Sequence, residues 1–278
     1  MCIRDRIIEV VELLKAVIFG FMQGVTEWLP VSSTGHMILL NEFLPLYQSE
    51  EFLELFFVVI QFGSILAVPL LFWKRMVPCA VRGGFRLKPD ILLLWGKITV
   101  ACIPAGVAAL LWNDEINDLF YHPHVVVIML IVVGVLFLVV ETRKREPSVH
   151  TVAELTWRAA WWIGCFQMIA AIFPGTSRSG ATIIGALMIG VSRTVAAEFT
   201  FIMAFPVMLG ASLFKLVQFG WEWTWVEAVI LVTGMIAAFL VSLLVIQGLM
   251  NFIKGHSFKI FGWYRIGLGI VMALYILV

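Results

Sequence analysis

Six runs of the chain are apolar and long enough to cross a membrane as helices: Phe52 to Trp73, Ile91 to Trp112, Val125 to Val140, Ala196 to Phe219, Val226 to Met250 and Ile260 to Val278. About 20 residues of helix span the hydrocarbon layer. Lipid offers no partner to backbone N–H and C=O groups, so only helices and closed barrels can cross it. No alternating barrel pattern is present. Composition agrees: 62% of the 278 residues are hydrophobic and 13% charged, where a soluble domain carries about 25%. The expected fold is an all-α integral membrane protein. A net charge of +1 points to no nucleic-acid partner.

Two polar stretches interrupt this apolar pattern. The first runs from Gln23 to His36 and holds Glu27, Ser32, Ser33, Thr34 and His36. The second runs from Pro174 to Thr182 and holds Thr176, Ser177, Arg178 and Ser179. Apolar helices enter and leave both: Ile7 to Met22 and His36 to Leu46 around the first, Ala153 to Phe173 and Ala181 to Val191 around the second. Polar backbone at membrane depth must face water or be shielded by protein.

The charged loops set the orientation. Lys74, Arg75, Arg82, Arg86 and Lys88 put one loop inside; Arg143, Lys144, Arg145 and Arg158 a second; Lys254 and Lys259 a third. Glu42, Glu50, Glu51 and Glu54, then Asp114, Glu115 and Asp118, then Glu222 and Glu227 mark the outside. The alternation closes only if Ala153 to Val191 enters and leaves on the inner side. It is then a re-entrant hairpin, and Ile7 to Leu46 is its counterpart from outside. The expectation is an inverted-topology repeat in one polytopic domain: six transmembrane helices plus two re-entrant helical hairpins, with repeat 1 at about 7–142 and repeat 2 at about 153–278. A shift of 144 residues supports it: Gly20 falls on Gly164, Gln23 on Gln167, Pro30 on Pro174 and Ser33 on Ser177. After a seven-residue gap, Gln61 falls on Glu198, Ala67 on Ala204 and Pro69 on Pro206.

The first stretch supplies an acid, a hydroxyl and a base in Glu27, Ser33 and His36. The second supplies a cation, Arg178, and hydroxyls from Ser177, Ser179 and Thr182. Gly175 and Gly180 let backbone N–H groups approach a ligand. The helix beginning near Ala181 points its N-terminus at the same place, which favours an anion. Arginine suits phosphate oxygens, and a serine beside a base is the usual activated nucleophile. Phosphate chemistry and anion transport both want this set, and it leaves them open. Plainer readings compete: Pro30 and Pro174 as helix breakers, Glu27 as a structural carboxylate, His36 as a core histidine. Ser64, Thr99 and Ser242 are expected to bond their own helix backbone. Gln61, Glu198 and Arg265 sit in spans and need partners; Arg193 reads as an inner-side charge. Cys2, Cys79, Cys102 and Cys165 lack metal spacing and read as inert thiols. Met1 to Arg6 reads as an appended remnant without a role, and no cleavable signal peptide is evident.

On these residues the chain resembles the undecaprenyl-pyrophosphate phosphatase family, also known for bacitracin resistance. That family carries a (Glu/Gln)-x-x-x-Glu motif, here Gln23 to Glu27, followed by Pro-Val-Ser-Ser-Thr-Gly-His, here Pro30 to His36. Its Pro-Gly-x-Ser-Arg-Ser-x-x-Thr motif is Pro174 to Thr182 without a mismatch. The likeness extends to Val59 to Ala67, Gly190 to Arg193, Glu198-Phe199 and Tyr264-Arg265. The resemblance implies hydrolysis of the C55 polyprenyl diphosphate lipid to monophosphate and inorganic phosphate, which recycles the carrier for cell-wall synthesis. It implies a plasma-membrane site opening to the periplasmic or outer side, and a divalent cation, Mg²⁺ or Ca²⁺, on Glu27 and Gln23. Because position 23 is Gln, the metal should lean on Glu27 and the diphosphate. Arg178 and the backbone of Gly175 to Gly180, with Thr176, Ser177, Ser179 and Thr182, are then expected to hold phosphate, joined by Gln61 and Arg265. Ser33 attacks and His36 takes its proton, or His36 is itself the nucleophile. The alternative is a transporter or flippase of polyprenyl phosphate or another anion on the same fold. The Lys-x6-Arg-Pro motif of the type-2 phosphatidic acid phosphatases is lacking, which sets that superfamily aside. The sequence leaves the oligomeric state open, a homodimer included.

Overall fold

The computed structural model describes residues 3–80, 86–143, 146–220 and 223–277. Cys2, Arg82, Lys144, Arg145, Trp221 and Glu222 lie outside the described residues, as do the side chains of Arg86 and Asp114.

The chain is helical almost throughout. The helices are α1 (Ile3–Thr26), α2 (Ser33–Phe43), α3 (Glu50–Ile65), α4 (Ala67–Leu71), α5 (Trp73–Met76), α6 (Pro89–Phe120), α7 (Pro123–Thr142), α8 (Trp157–Ile172), α9 (Arg178–Met188), α10 (Arg193–Phe219), α11 (Trp225–Phe252) and α12 (Lys259–Leu277). A two-residue strand pair, Cys79–Ala80 with Arg86–Leu87, closes one loop. Six stretches are long and apolar enough to span a membrane: Glu50–Leu71, Pro89–Trp112, Pro123–Thr142, Arg193–Phe219, Trp225–Phe252 and Lys259–Leu277. They match the six expected spans, each beginning one to three residues earlier; α6 runs on past a kink at Trp112 to Phe120. The chain is therefore a multi-pass, all-α membrane protein. Cys79, Cys102 and Cys165 are free thiols.

Small residues let the helices approach closely, as membrane packing requires. A Cβ on Gly20 would meet the Gly234 carbonyl oxygen at 2.3 Å, and one on Gly24 the Ala238 oxygen at 2.7 Å. Numbers rise together, so α1 runs parallel to α11. Likewise Gly96 meets Trp157 and Gly164 meets Ala101, so α8 runs parallel to α6. Each inbound hairpin helix thus lies along the second span of the other half.

Polar contacts gather the helix ends into two faces. On one, Trp95 Nε1 donates to the Met76 carbonyl, Lys97 to that of Ala153, and Ser148 N to that of Gly190. There the Glu141 carboxylate accepts from Arg193 Nε at 2.9 Å and from the Phe258 N–H at 3.0 Å. Arg75 pairs with Glu198, the partner that this span carboxylate needed. On the opposite face Lys15 pairs with Glu12 at 2.7 Å, donates to the Pro45 carbonyl and lies 4.3 Å over the Tyr47 ring. Lys215 pairs with Glu54 there, and Tyr275 reaches Glu42. The two ends of α1–α2 are joined on this second face, and those of α8–α9 on the first.

Thr99 bonds its own helix, at the Trp95 carbonyl. Ser64 and Ser242 do not: both hydroxyls are buried without a partner, which corrects the expectation of backbone bonds for these two.

Candidate active site

The two tips meet, and they are built alike. Ser32 and Ser177 are the two non-glycine residues with positive φ among those described, at 74° and 69°. Each caps an 11-residue helix with its own hydroxyl: Ser32 Oγ accepts from the Gly35 N–H, and Ser177 Oγ from the Gly180 N–H. Serine is a strong cap because its short side chain reaches an orphan N–H of the first turn. The left-handed backbone costs about 1–3 kcal/mol, so the surroundings must hold it.

These caps change the register of the repeat. Ser177 corresponds to Ser32 rather than Ser33, and Arg178 takes the place of Ser33. The second tip has one more residue between its proline and its cap, Gly175 and Thr176 against Val31 alone. Gly175 accommodates that residue: it has φ +85°, and a Cβ there would lie 2.7 Å from the Val126 backbone. Its role is close approach to α7. The short helices also begin earlier than expected, so Ser33 and Arg178 open them and sit in their first turns.

Arg265 holds both tips in place. It is fully buried on α12, and its guanidinium donates to the carbonyls of Pro30, Leu130, Met129, Gly175 and Thr176, at 2.8 Å for Gly175. A planar five-donor fork suits such divergent acceptors, where lysine would not. Arg265 was expected to contact substrate; its donors are instead spent on backbone.

Glu27 is the centre of the assembled site. Its Oε1 accepts from Arg178 Nη2 at 2.8 Å, and its Oε2 from Gln23 Nε2 and Ser33 Oγ, both at 2.9 Å. Ser179 Oγ reaches the Glu27 carbonyl at 3.3 Å. One carboxylate therefore joins a cation from the second tip to a hydroxyl from the first. It is 7% exposed, in a setting that strengthens each of these bonds. Two polar atoms at this centre are buried without partners: Gln23 Oε1 and Arg178 Nη1.

Other expected residues are placed differently. His36 bonds the Ser32 carbonyl through Nδ1 and the Tyr264 hydroxyl through Nε2, each at 2.7 Å. The group in contact with Ser33 is Glu27 and not His36. Thr182 donates back to the carbonyls of Arg178 and Ser179 and accepts from Thr200, so it ties α9 to α10. Ser177 Oγ shares a 3.2 Å bond with Ser179 Oγ. The N–H groups of Gly180 and Ala181 already have partners in Ser177, leaving less free backbone at the tip than expected. Thr176 Oγ1 is buried and unpartnered. Gln61 donates to the Phe57 carbonyl of its own helix.

Sequence reasoning passed over Tyr264 and Gln167 as functional residues. Tyr264 enters only through the family resemblance, as the residue before Arg265, and is given no role there. Gln167, the counterpart of Gln23, has both amide atoms buried and unpartnered; its position in the repeat was the available signal.

The family model described as "Bacitracin resistance protein BacA" matches residues 16–271. An undecaprenyl-diphosphatase of Desulfitobacterium hafniense is 55% identical over 267 residues, 95% of this chain and 96% of that one. Undecaprenyl-diphosphatase 1 of Clostridium acetobutylicum is 52% identical, covering 97% and 99%. An undecaprenyl-diphosphatase of Enterococcus faecalis is 51% identical, covering 96% and 98%.

Proposed function

Because the chain belongs to the bacitracin resistance protein BacA family, we propose that it is an undecaprenyl-diphosphatase. It hydrolyses the C55 diphosphate to the monophosphate and inorganic phosphate. Its relatives carry that name at about half identity over nearly their full length. The observation that carries the reading is the Glu27 carboxylate, bonded at once to a hydroxyl and to a guanidinium from opposite tips. A carrier that only moves an anion has no need of a hydroxyl held against a carboxylate.

The chemistry rests on those contacts. The unpartnered Nη1 of Arg178 and the N-terminus of α9 receive the terminal phosphate. Ser33 Oγ passes its proton to Glu27 and attacks the terminal phosphorus. The bond to the bridging oxygen breaks, and the lipid monophosphate leaves with the proton that Glu27 took from Ser33. The carboxylate, free again, takes a proton from water, which attacks the phosphoserine; the Ser33 Oγ–phosphorus bond breaks, Ser33 recovers a proton from Glu27, and phosphate is released. Phosphoryl transfer asks mainly for positioning and charge neutralisation, and Arg178 supplies both. His36, held between Ser32 and Tyr264, fixes the first tip and lies one helical turn beyond Ser33.

A divalent cation fits this donor set in one way. Gln23 Oε1 is an oxygen donor left unpartnered beside Glu27. Among the described residues no three His, Cys, Asp or Glu side chains converge. Glu27 and Gln23 would hold a hard cation such as Mg²⁺, with diphosphate and water completing its shell. Bound there, it would neutralise charge on the diphosphate.

The reading extends to placement in the membrane. Lys74, Arg75, Lys88, Arg143, Arg158, Lys254 and Lys259 belong to one face, which makes it cytoplasmic in a bacterial plasma membrane. Both hairpins are then re-entrant and inverted, and the two halves form the inverted repeat. Arg265 grips α7 at Leu130, seven residues after Pro123 and twelve before Thr142. At 1.5 Å per residue that is roughly 10 Å from the outer end and 18 Å from the inner, so the site opens outward.

The test is phosphate release from C55 diphosphate by purified protein in detergent, with and without EDTA. Release that EDTA abolishes is expected, as is loss of at least about a hundredfold in Ser33→Ala. Folded protein that releases none would support transport instead. Near-native turnover by Ser33→Ala, with phosphate trapped on His36, would move the nucleophile there.

A further inference from the structure

We propose that the groove between the outer end of α6 and the last turn of α8 seats the polyprenyl chain of the substrate, an assignment that rests on the phosphatase reading above. The groove encloses ≈ 280 Å³ and is lined by Ala108, Trp112, Ile116, Phe120, Met168 and Ile172. Apart from Glu115, every lining side chain is apolar.

The kink of α6 forms it. Trp112 has φ −134° and ψ 23°, which breaks the helix and swings the segment to Phe120 away from the line of the earlier turns. Below the kink, α6 and α8 approach backbone to backbone at Gly164 and Ala101. The groove lies around the kink, with Ala108 before it and Ile116 and Phe120 after it on α6, and Met168 and Ile172 on α8.

Its position ties it to the reaction. Ile172 lies two residues before Pro174, where the second tip begins. Phe120, at the far end of α6, packs edge-on against Phe173 with ring centroids 4.7 Å apart, which sets this end of the groove beside the residue leading into the tip. A lipid whose diphosphate sits at Arg178 must carry its chain away from the polar centre. The groove offers that chain apolar wall from the tip outward, in the half of the membrane that holds the outer ends of α6 and α7. It also runs between the two halves of the molecule, since α6 belongs to the first and α8 to the second. Leu110, 86% exposed on the same helix, faces away and serves as a control position.

The experiment compares chain lengths. Phosphate release is measured on C55 diphosphate and on farnesyl (C15) diphosphate for native protein, Ala108→Phe, Ile116→Trp and Leu110→Trp, each checked by thermal melting. Filling the groove should lower kcat/KM for C55 about tenfold or more and leave the C15 value within about twofold, with Leu110→Trp unchanged on both. Equal losses on both substrates, or none on either, would overturn the assignment. Native protein inactive on both would instead sink the phosphatase reading and the assignment with it. A photoreactive polyprenyl monophosphate gives an independent readout. Labels mapped to Ala108–Phe120 or Met168 are expected, and labels confined to other helices would contradict the groove.

Discussion

The two tips share one backbone device and carry opposite chemistry. Both turn on a left-handed serine, both cap an 11-residue helix with that serine, and both are gripped by Arg265. Beyond the cap they differ. The first tip places Ser33 in the opening turn and His36 one turn on; the second places Arg178 and Ala181 at the same positions. The helices leading in differ too: Gln23 and Glu27 enter the first tip, Gln167 and Ala171 the second. The two tips thus divide the chemistry, with the hydroxyl and carboxylate on one side and the cation on the other. The Glu27–Arg178 bond joins the two tips, and on the proposed function neither is a site alone.

The largest effect should come from the residue that joins them. Glu27→Gln keeps the shape but removes the charge that pairs Arg178 and receives the proton from Ser33. Phosphate release should fall by about 10³-fold or more, and the melting temperature should fall too, since Arg178 loses its charge partner; retention of a tenth of native activity by the folded fraction would remove Glu27 from its role as base. The carbonyl clamp comes next. Arg265→Met strips five backbone acceptors of their donor at both tips, and thermal unfolding in detergent should register a loss of about 3–5 kcal/mol. Arg265→Lys should recover little of it, since an ammonium cannot fan out to the same carbonyls.

Smaller effects should sharpen the likeness of the tips. Ser32→Ala and Ser177→Ala should each cost about 1–2 kcal/mol, because alanine loses the cap and keeps the strain of positive φ. The glycine variants should cost only a few tenths, because glycine accepts that backbone freely. Unequal costs at the two positions would show that the device is not shared. The smallest effect should expose the asymmetry: Gln167→Leu should be neutral or slightly stabilising, as it deletes an amide with no partner. Gln23→Leu, by contrast, should slow catalysis, because Gln23 supports Glu27.

Much of this was legible from the sequence. Long apolar runs imposed the six spans, since lipid leaves the backbone little choice. The charge of the loops and two prolines in matched polar stretches pointed to paired hairpins. Glu27, Ser33 and Arg178 stood out as polar groups that a membrane interior does not hold idly. What the sequence hid was contact. Arg265 looked like a substrate ligand because an unpaired guanidinium in a span demands acceptors, and backbone carbonyls 89 to 235 residues away leave no mark in sequence. The repeat was misread by one residue at the tip because Pro and Ser coincide under a shift of 144, while the register of the cap is fixed by backbone conformation. His36 was paired with Ser33 on proximity along the chain, yet a helix turn points its ring toward Tyr264.

The central claim is that the tips act as one catalytic unit through Glu27 and Arg178. A double-mutant cycle on kcat/KM tests it most directly, with Glu27→Gln, Arg178→Lys and the pair together. Residues that act as a unit are strongly non-additive, so the double variant should be about as slow as the worse single one. Losses that multiply, each variant costing the same factor whether or not the other is present, would contradict the claim.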